Sequence, residues 1–101
     1  MKTTTIPYSF SKPGILVGIK AEAQLIRKIF PYATIAISGA TKEGARRESI
    51  RLATGSSNCL LSFGLAAGLN PALPTGSIII PDKVVTRDGI LGHVTQRYDI
   101  C

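Results

Sequence analysis

The chain has 101 residues, with 12 lysines and arginines against 6 aspartates and glutamates, which gives a net charge of +6 with the single histidine neutral. Hydrophobic residues make up 45% and charged residues 18%, a balance that excludes an intrinsically disordered protein and suffices for one buried core. Two cysteines, Cys59 and Cys101, indicate no disulfide framework, so we expect a reducing, cytoplasmic setting. The longest apolar runs, of about five residues, fall far short of the roughly 20 that a membrane-spanning helix needs.

The first half of the chain alternates between segments of strand-like and helix-like composition. Polar residues 1–14 end in a turn-forming Lys-Pro-Gly, so we predict an N-terminal extension over 1–14 and a folded domain over 15–101. Three apolar runs are typical of strands buried on both faces, and two intervening segments have helical spacing. In chain order the predicted elements are strand 15–19, helix 21–30, strand 33–37, helix 42–53 and strand 58–63.

Each predicted helix has an inner stripe that would face the sheet. In the first helix this stripe is Leu25, Ile26, Ile29 and Phe30. In the second helix, Thr41 is placed to cap the first turn, and Gly55 is placed to end the helix with a positive φ. The inner stripe of the second helix is predicted at Ala45, Ser49, Leu52 and Ala53.

The second half of the chain is less regular. Residues 64–76 hold three glycines and two prolines, which predicts a structured loop. The β-branched run 77–81 predicts a fourth strand, which residues 83–86 either continue or pair with. After Asp88 the pattern loses definition. The order of elements predicts an α/β fold of three layers, with a largely parallel (mixed) sheet flanked by helices, and we expect the front portion of a larger domain.

Ligands of open α/β sheets bind beyond the carboxyl ends of the strands, so the residues after each predicted strand form the candidate site. Glu22 is a candidate general base or hydrogen-bond partner of a ligand, although the helix dipole favours a carboxylate there in any case. The turn 38–41 combines hydroxyl groups, a glycine and a helix N-terminus, which suits a bound phosphate and equally suits an ordinary capped turn. The small residues of 62–69 would let a ligand lie against the backbone, or would only let the loop pack closely.

Two other kinds of partner fit the sequence less well. The basic residues of the second helix are interleaved with glutamates, and Glu43 has the i, i+4 spacing to Arg47 that favours a solvated ion pair. The six aromatic residues lack the spacing of a base-stacking surface, so we expect no nucleic-acid partner. His93 and two widely separated cysteines give no zinc-binding spacing, so we expect no metal.

The glycine-rich stretch resembles the nucleoside phosphorylase and nucleosidase superfamily, most closely its hopanoid-associated phosphorylases. That family has a strand that runs into a Gly-x-Ala-Gly-Gly-Leu turn, followed by a spacer and a strand of Ile and Val. The matching residues here are Ser62-Phe63-Gly64-Leu65-Ala66-Ala67-Gly68-Leu69, then Pro74-Thr75-Gly76-Ser77-Ile78-Ile79-Ile80. Weaker likeness extends upstream to residues 17–23 and to Ser38-Gly39, so the resemblance covers residues 15–89 and matches the N-terminal portion of the family.

The resemblance implies which residues would contact a ligand. It places Ser38 and Gly39 beside the phosphate or attacking-water pocket. It places five residues along the nucleoside site: Ser62, Phe63, Gly64, Ala66 and Gly68. Three positions depart from the family, because Ala67 replaces a glycine, Ser77 replaces an aspartate, and Glu22 lies one position away from the acidic residue that nucleosidases use as a base. An added methyl group at Ala67 could crowd a turn that needs positive φ.

The implied activity is cleavage of the N-glycosidic bond of a purine nucleoside or an adenosylated hopanoid lipid. Phosphate as a co-substrate, or water, would attack, and no other cofactor is implied. The family's second half supplies a Met-Glu pair for the ribose and an Asp that protonates the purine, and neither is matched here. We therefore expect little activity from this chain alone, and either homo-oligomerisation or a missing C-terminal half. The alternative is a non-catalytic remnant that binds nucleoside or phosphate, or that oligomerises.

Overall fold

A computed structural model describes residues 12–81 and 83–93, which fall into two compact units, 12–66 and 67–93. The predicted N-terminal extension lies outside the described residues apart from 12–14, and the end of the chain, including Cys101, lies outside them as well. Within the described residues, no helix has the length and apolar composition to cross a membrane.

The first unit is a parallel sheet of three strands joined by two helices. The central strand is β1 (Pro13–Val17), and β2 (Thr34–Ile37) and β3 (Cys59–Ser62) pair with its two sides, both in parallel. α1 (Lys20–Ile29) connects β1 to β2, and α2 (Lys42–Thr54) connects β2 to β3. The predicted α/β fold is therefore confirmed, with elements close to their predicted positions.

The two helices cover opposite faces of this sheet. Connections between parallel strands are right-handed, so the direction in which the chain crosses the sheet decides which face the connecting helix covers. The chain moves from β1 to β2 in one direction, and from β2 past β1 to β3 in the other. On the α1 face, Ile15 and Val17 are buried in one cluster with Ala23 and Ile26. Burial of the two strand side chains contributes about 2 kcal/mol each to the stability of the unit. This cluster fixes the start of α1 over the end of β1.

The predicted stripe of α1 is only partly buried. Ile26 is 2% exposed, whereas Leu25 and Ile29 are 46% and 58% exposed and Phe30 is 38% exposed. The reason is geometric, since α1 packs on the sheet chiefly over β1 and β2 and the outer side of the helix faces away from the sheet. The apolar spacing predicted the helix correctly and its contacts incorrectly.

The buried stripe of α2 also differs from the prediction. It consists of Gly44, Glu48 and Leu52. Ala53, predicted to face inward, is exposed. Glu48 is accommodated because Arg47 donates to its carboxylate at 3.0 Å and Arg51 pairs with it as well. Arg47 thus pairs with its neighbour Glu48 rather than forming the predicted i, i+4 pair with Glu43.

The residue that follows α2 has no left-handed conformation. Gly55 has a φ of −87° and a ψ of −154°, and its N–H donates to the Leu52 carbonyl at 3.3 Å. The predicted positive φ at Gly55 is wrong because the chain leaves α2 in an extended conformation, which any residue can adopt.

The second unit contains turns and one hairpin. β4 (Lys83–Thr86) pairs antiparallel with β5 (Gly89–His93), with a register shift between Val84 and Val85, whose partners are Gly92 and Ile90. The predicted fourth strand over 77–81 is wrong, because these residues pair in no strand and Ile78 and Ile79 are 88% and 61% exposed. A β-branched run forms a strand only where a neighbouring strand is available to pair with it. Residues 83–86 pair with β5 instead.

Candidate functional site

The carboxyl ends of the three parallel strands lie side by side. Beyond the sheet ladder, the Ser38 N–H donates to the Val17 carbonyl at 2.8 Å, and the Phe63 N–H donates to the Leu16 carbonyl at 2.9 Å. These bonds hold the ends of β2 and β3 to the end of β1. The turns that follow are also close, since a Cβ added to Gly18 would lie 3.9 Å from the Ala40 Cβ. The structure therefore brings the predicted strand-end segments of the first unit to one edge of the sheet.

Glu22 connects two of these segments through its carboxylate. One oxygen, Oε1, accepts from the Gly18 N–H at 2.9 Å and from the Ile19 N–H at 3.3 Å, both in the turn after β1. The other oxygen, Oε2, accepts from the Leu65 N–H at 2.8 Å, in the loop after β3. The residue is 7% exposed. We call Glu22 with these three N–H groups the carboxylate bridge.

The carboxylate bridge keeps Glu22 ionised. The hydrogen bond from the Leu65 N–H, followed by the bond from the Gly18 N–H, holds the pKa of Glu22 below its ordinary value, against the opposing effect of burial. A lowered pKa makes the carboxylate a weaker proton acceptor. Both oxygens are also already engaged by backbone groups, which makes this carboxylate better suited to holding backbone in place than to activating water.

The carboxylate bridge leaves little room for a side chain at Gly64. A Cβ at Gly64 would lie 3.1 Å from Oε2 of Glu22, and a Cβ at Gly18 would lie 3.4 Å from Oε1. The first distance is shorter than an ordinary van der Waals contact, so a side chain at 64 would push the carboxylate or the loop away. The glycine after β3 therefore makes room for the bridge.

The turn after β2 is built from left-handed backbone. Gly39 and Ala40 have φ values of +75° and +60°, and among the described non-glycine residues Ala40 alone has a positive φ. The Ala40 N–H donates to the Ser38 hydroxyl oxygen at 3.1 Å, which stabilises this conformation. Ser38 is 9% exposed. Its hydroxyl serves as an acceptor here, and a hydroxyl can also donate its proton to a further acceptor.

The first turn of α2 follows this turn directly. Thr41 caps the helix as predicted, since its hydroxyl accepts from the Gly44 N–H at 2.9 Å. Gly44 packs so closely that an added Cβ would lie 1.8 Å from the Ser38 carbonyl oxygen. The positive end of the α2 dipole thus lies directly beside Ser38 and Gly39, which favours a bound anion there.

The structure brings together only some of the residues that were predicted to line the nucleoside site. Ser62 is exposed at the end of β3, and the half-buried Phe63 packs against the core cluster on the α1 face. Gly64 and Ala66 are exposed on the loop after β3, whereas Gly68 belongs to the second unit.

The substitution at Ala67 creates no backbone conflict. Ala40 is the sole non-glycine residue with positive φ in the part of the chain that the structure describes, so Ala67 has a conformation open to any residue. The concern that a methyl group at this position would crowd the turn therefore finds no support in the backbone conformation.

A shallow cavity of about 370 Å³ lies at the other edge of the sheet. It is lined by the first residues of β2, the last turn of α2 and the connection from α2 to β3, including Thr34, Arg51 and Ser57. None of the predicted site residues lines this cavity, and ligands of parallel sheets bind at the carboxyl edge. Across residues 12–81 and 83–93, no three potential metal-ligating side chains are grouped together.

Three backbone groups of the site were missed by sequence reasoning. The N–H groups of Gly18, Ile19 and Leu65 receive no prediction, because backbone donors leave no trace in residue type. The left-handed conformation of Ala40 is equally hidden, since alanine rarely adopts it.

Comparison with protein-family models, curated proteins and solved structures found no match to this chain.

Proposed function

We propose that residues 12–66 form the phosphate and nucleoside side of a site like that of nucleoside phosphorylases and nucleosidases. The substrate would be a purine nucleoside or an adenosylated lipid, and the bond cleaved would be the N-glycosidic bond. The observation that carries the proposal is the convergence of the strand ends at one edge of the sheet, with Ser38 and Gly39 next to the turn after β1. The resemblance assigns ligand contacts to Ser38, Gly39 and residues of 62–66 on this same edge.

The two sides of the proposed site have different chemistry. The turn after β2 offers a hydroxyl group, a glycine with nothing within 4 Å of its added Cβ, and the positive end of α2. These groups suit a phosphate. The loop after β3 offers exposed backbone at Gly64 and Ala66, which suits the flat face of a ribose or purine.

Binding is expected without appreciable cleavage. Departure of a purine requires a proton on the base. The aspartate that supplies this proton in the family has no counterpart among the matching residues of this chain. The alternative is a non-catalytic protein that binds the same ligands or oligomerises, and the exposed Leu25 and Ile29 on α1 favour association.

Isothermal titration calorimetry with adenosine, adenine and phosphate tests the proposal, with an adenine-release assay on the same sample and cytidine as the control ligand. We expect adenosine and phosphate to bind, cytidine to bind more weakly, and adenine release to be slow or absent. Ser38→Ala should weaken phosphate binding about fivefold, because it removes the hydroxyl that holds the turn. Ser56→Ala, at the other edge of the sheet, is the matched control. A chain that binds neither adenosine nor phosphate contradicts the proposal.

A further inference from the structure

The geometry points to Glu22 as a positioning residue that holds the nucleoside side of the site, rather than as its general base. This inference rests on the proposed function and assigns a role within the same site. Its basis is the carboxylate bridge, in which one side chain joins the turn after β1 to the loop after β3 across 43 sequence positions.

The loop after β3 has few other attachments near this point. The Phe63 N–H is bound to the Leu16 carbonyl, and the next described bond along the loop is from the Leu65 N–H to Glu22. Gly64 lies between these two points, and it is exposed and has no side chain to pack. The conformation of the backbone that would contact a nucleoside therefore depends on the Glu22 carboxylate.

The bond from Leu65 is stronger than an ordinary backbone hydrogen bond. Its acceptor is ionised, its length is 2.8 Å and the carboxylate is largely shielded from water. The segments that contact Glu22, namely 18–19 and 64–65, and the neighbouring turn 38–41 contain no charged residue, and the nearest charge along α1 is the exposed Lys20. The bridge is thus held by backbone donors rather than by an ion pair.

The described hydrogen bonds of Glu22 reach the turn after β1 and the loop after β3 but not the turn after β2. It bonds to the loop after β3, and no described hydrogen bond joins it to Ser38 or Gly39 in the turn after β2. Loss of the bridge should therefore impair adenosine binding more than phosphate binding. General destabilisation of the fold would impair both.

Glu22→Gln is the informative substitution, because it keeps the shape of the side chain. A carboxamide has one oxygen, so it can accept either from the turn after β1 or from Leu65, and its amino group must face the other donor. Glu43→Gln is the matched control for adenosine affinity, since Glu43 is exposed in the first turn of α2. Its phosphate affinity is left out of the comparison, because its charge lies at the α2 N-terminus, where phosphate is proposed to bind. Calorimetric titration of both variants and the unsubstituted chain should show adenosine affinity reduced about tenfold in Glu22→Gln alone. The phosphate affinity of Glu22→Gln should change less than about twofold.

A second measurement, amide NMR across an acid titration, requires neither ligand nor variant. The Gly18 and Leu65 signals should shift together with the Glu22 carboxyl carbon and share its midpoint, because one carboxylate accepts from both. Independent titration of Leu65, or equal adenosine affinity in Glu22→Gln and Glu43→Gln, overturns the inference while leaving the proposed function intact. An unsubstituted chain that binds neither adenosine nor phosphate overturns the proposed function and the role assigned to Glu22 with it.

Discussion

α1 and α2 both begin directly beyond a parallel strand, yet different groups hold their first turns. At α2 the cap is local: the Thr41 hydroxyl accepts from the Gly44 N–H, and the Ser38 hydroxyl holds the preceding turn. At α1 no side chain at the N-cap position Ile19 accepts such a bond. The third helical residue, Glu22, takes the N–H groups of Gly18 and Ile19 and also reaches the loop after β3.

This difference separates two kinds of strand end. The start of α2 is complete within seven consecutive residues, 38–44, so its geometry depends on local sequence. The start of α1 is complete only when the chain after β3 has returned to the sheet. The proposed phosphate side is therefore preformed by local contacts, whereas the proposed nucleoside side depends on tertiary structure.

Gly44→Ala should have the largest effect, because it breaks the start of α2. The added Cβ would overlap the Ser38 carbonyl oxygen at 1.8 Å, and backbone must move to relieve the overlap. Overpacking outweighs the gain in helix propensity, so we expect a loss of about 2 kcal/mol of unfolding free energy, measured by urea denaturation. Gly55→Ala is the control at the other end of α2, where the nearest atom would be 3.4 Å from the Cβ. Equal stability of the two variants would contradict the close packing of α2.

Thr41→Ala should have a smaller effect, because it removes only the cap and a long hydrogen bond from the Thr41 hydroxyl to the Ser38 carbonyl at 3.5 Å. The Gly44 N–H loses its acceptor while the backbone keeps its path, and loss of a cap costs about 1 kcal/mol. Thr54→Ala is the matched control, since the Thr54 hydroxyl donates to helix carbonyls at the exposed end of α2. We expect the control to change the unfolding free energy by less than about 0.5 kcal/mol in the same measurement. A control as destabilised as Thr41→Ala would show that the cap is not the cause.

The contrast between local contacts at the start of α2 and long-range contacts at the start of α1 explains how much of the molecule the sequence could predict. The Thr41 cap could be predicted, because a threonine before a helical segment is sufficient for it. The carboxylate bridge could not, because the pattern around Glu22 gives no sign of Leu65, and a glutamate in a first turn has an adequate local explanation in the helix dipole.

The errors in the fold have similar causes. The stripe of α2 was predicted from hydrophobicity, whereas Glu48 is buried through its arginine partners and Gly44 through close backbone approach. The strand predicted over 77–81 had the right composition, but pairing depends on another strand that the run itself does not specify. Parallel pairing, in contrast, follows from the alternation of strands and helices, whereas the order β2-β1-β3 was not predicted.

Mild acid provides the smallest expected effect and the sharpest test of the difference between the two helix starts. Because the pKa of Glu22 is lowered in the folded chain, its ionised form stabilises the fold above the ordinary glutamate pKa of 4.5, and this contribution is lost as the pH falls through the lowered value. The pKa of Glu48 is lowered too, mainly by the hydrogen bond from Arg47. Because Glu48 is present in both the unsubstituted chain and Glu22→Gln, its contribution to stability cancels when the two are compared. The difference in unfolding free energy between them should therefore be largest near pH 7 and should shrink as the pH falls below 4.5 and through the lowered pKa of Glu22. A difference that stays constant over this range would show that the Leu65 and Gly18 N–H groups do not depend on the charge of Glu22, and the start of α1 would then be as local as the start of α2.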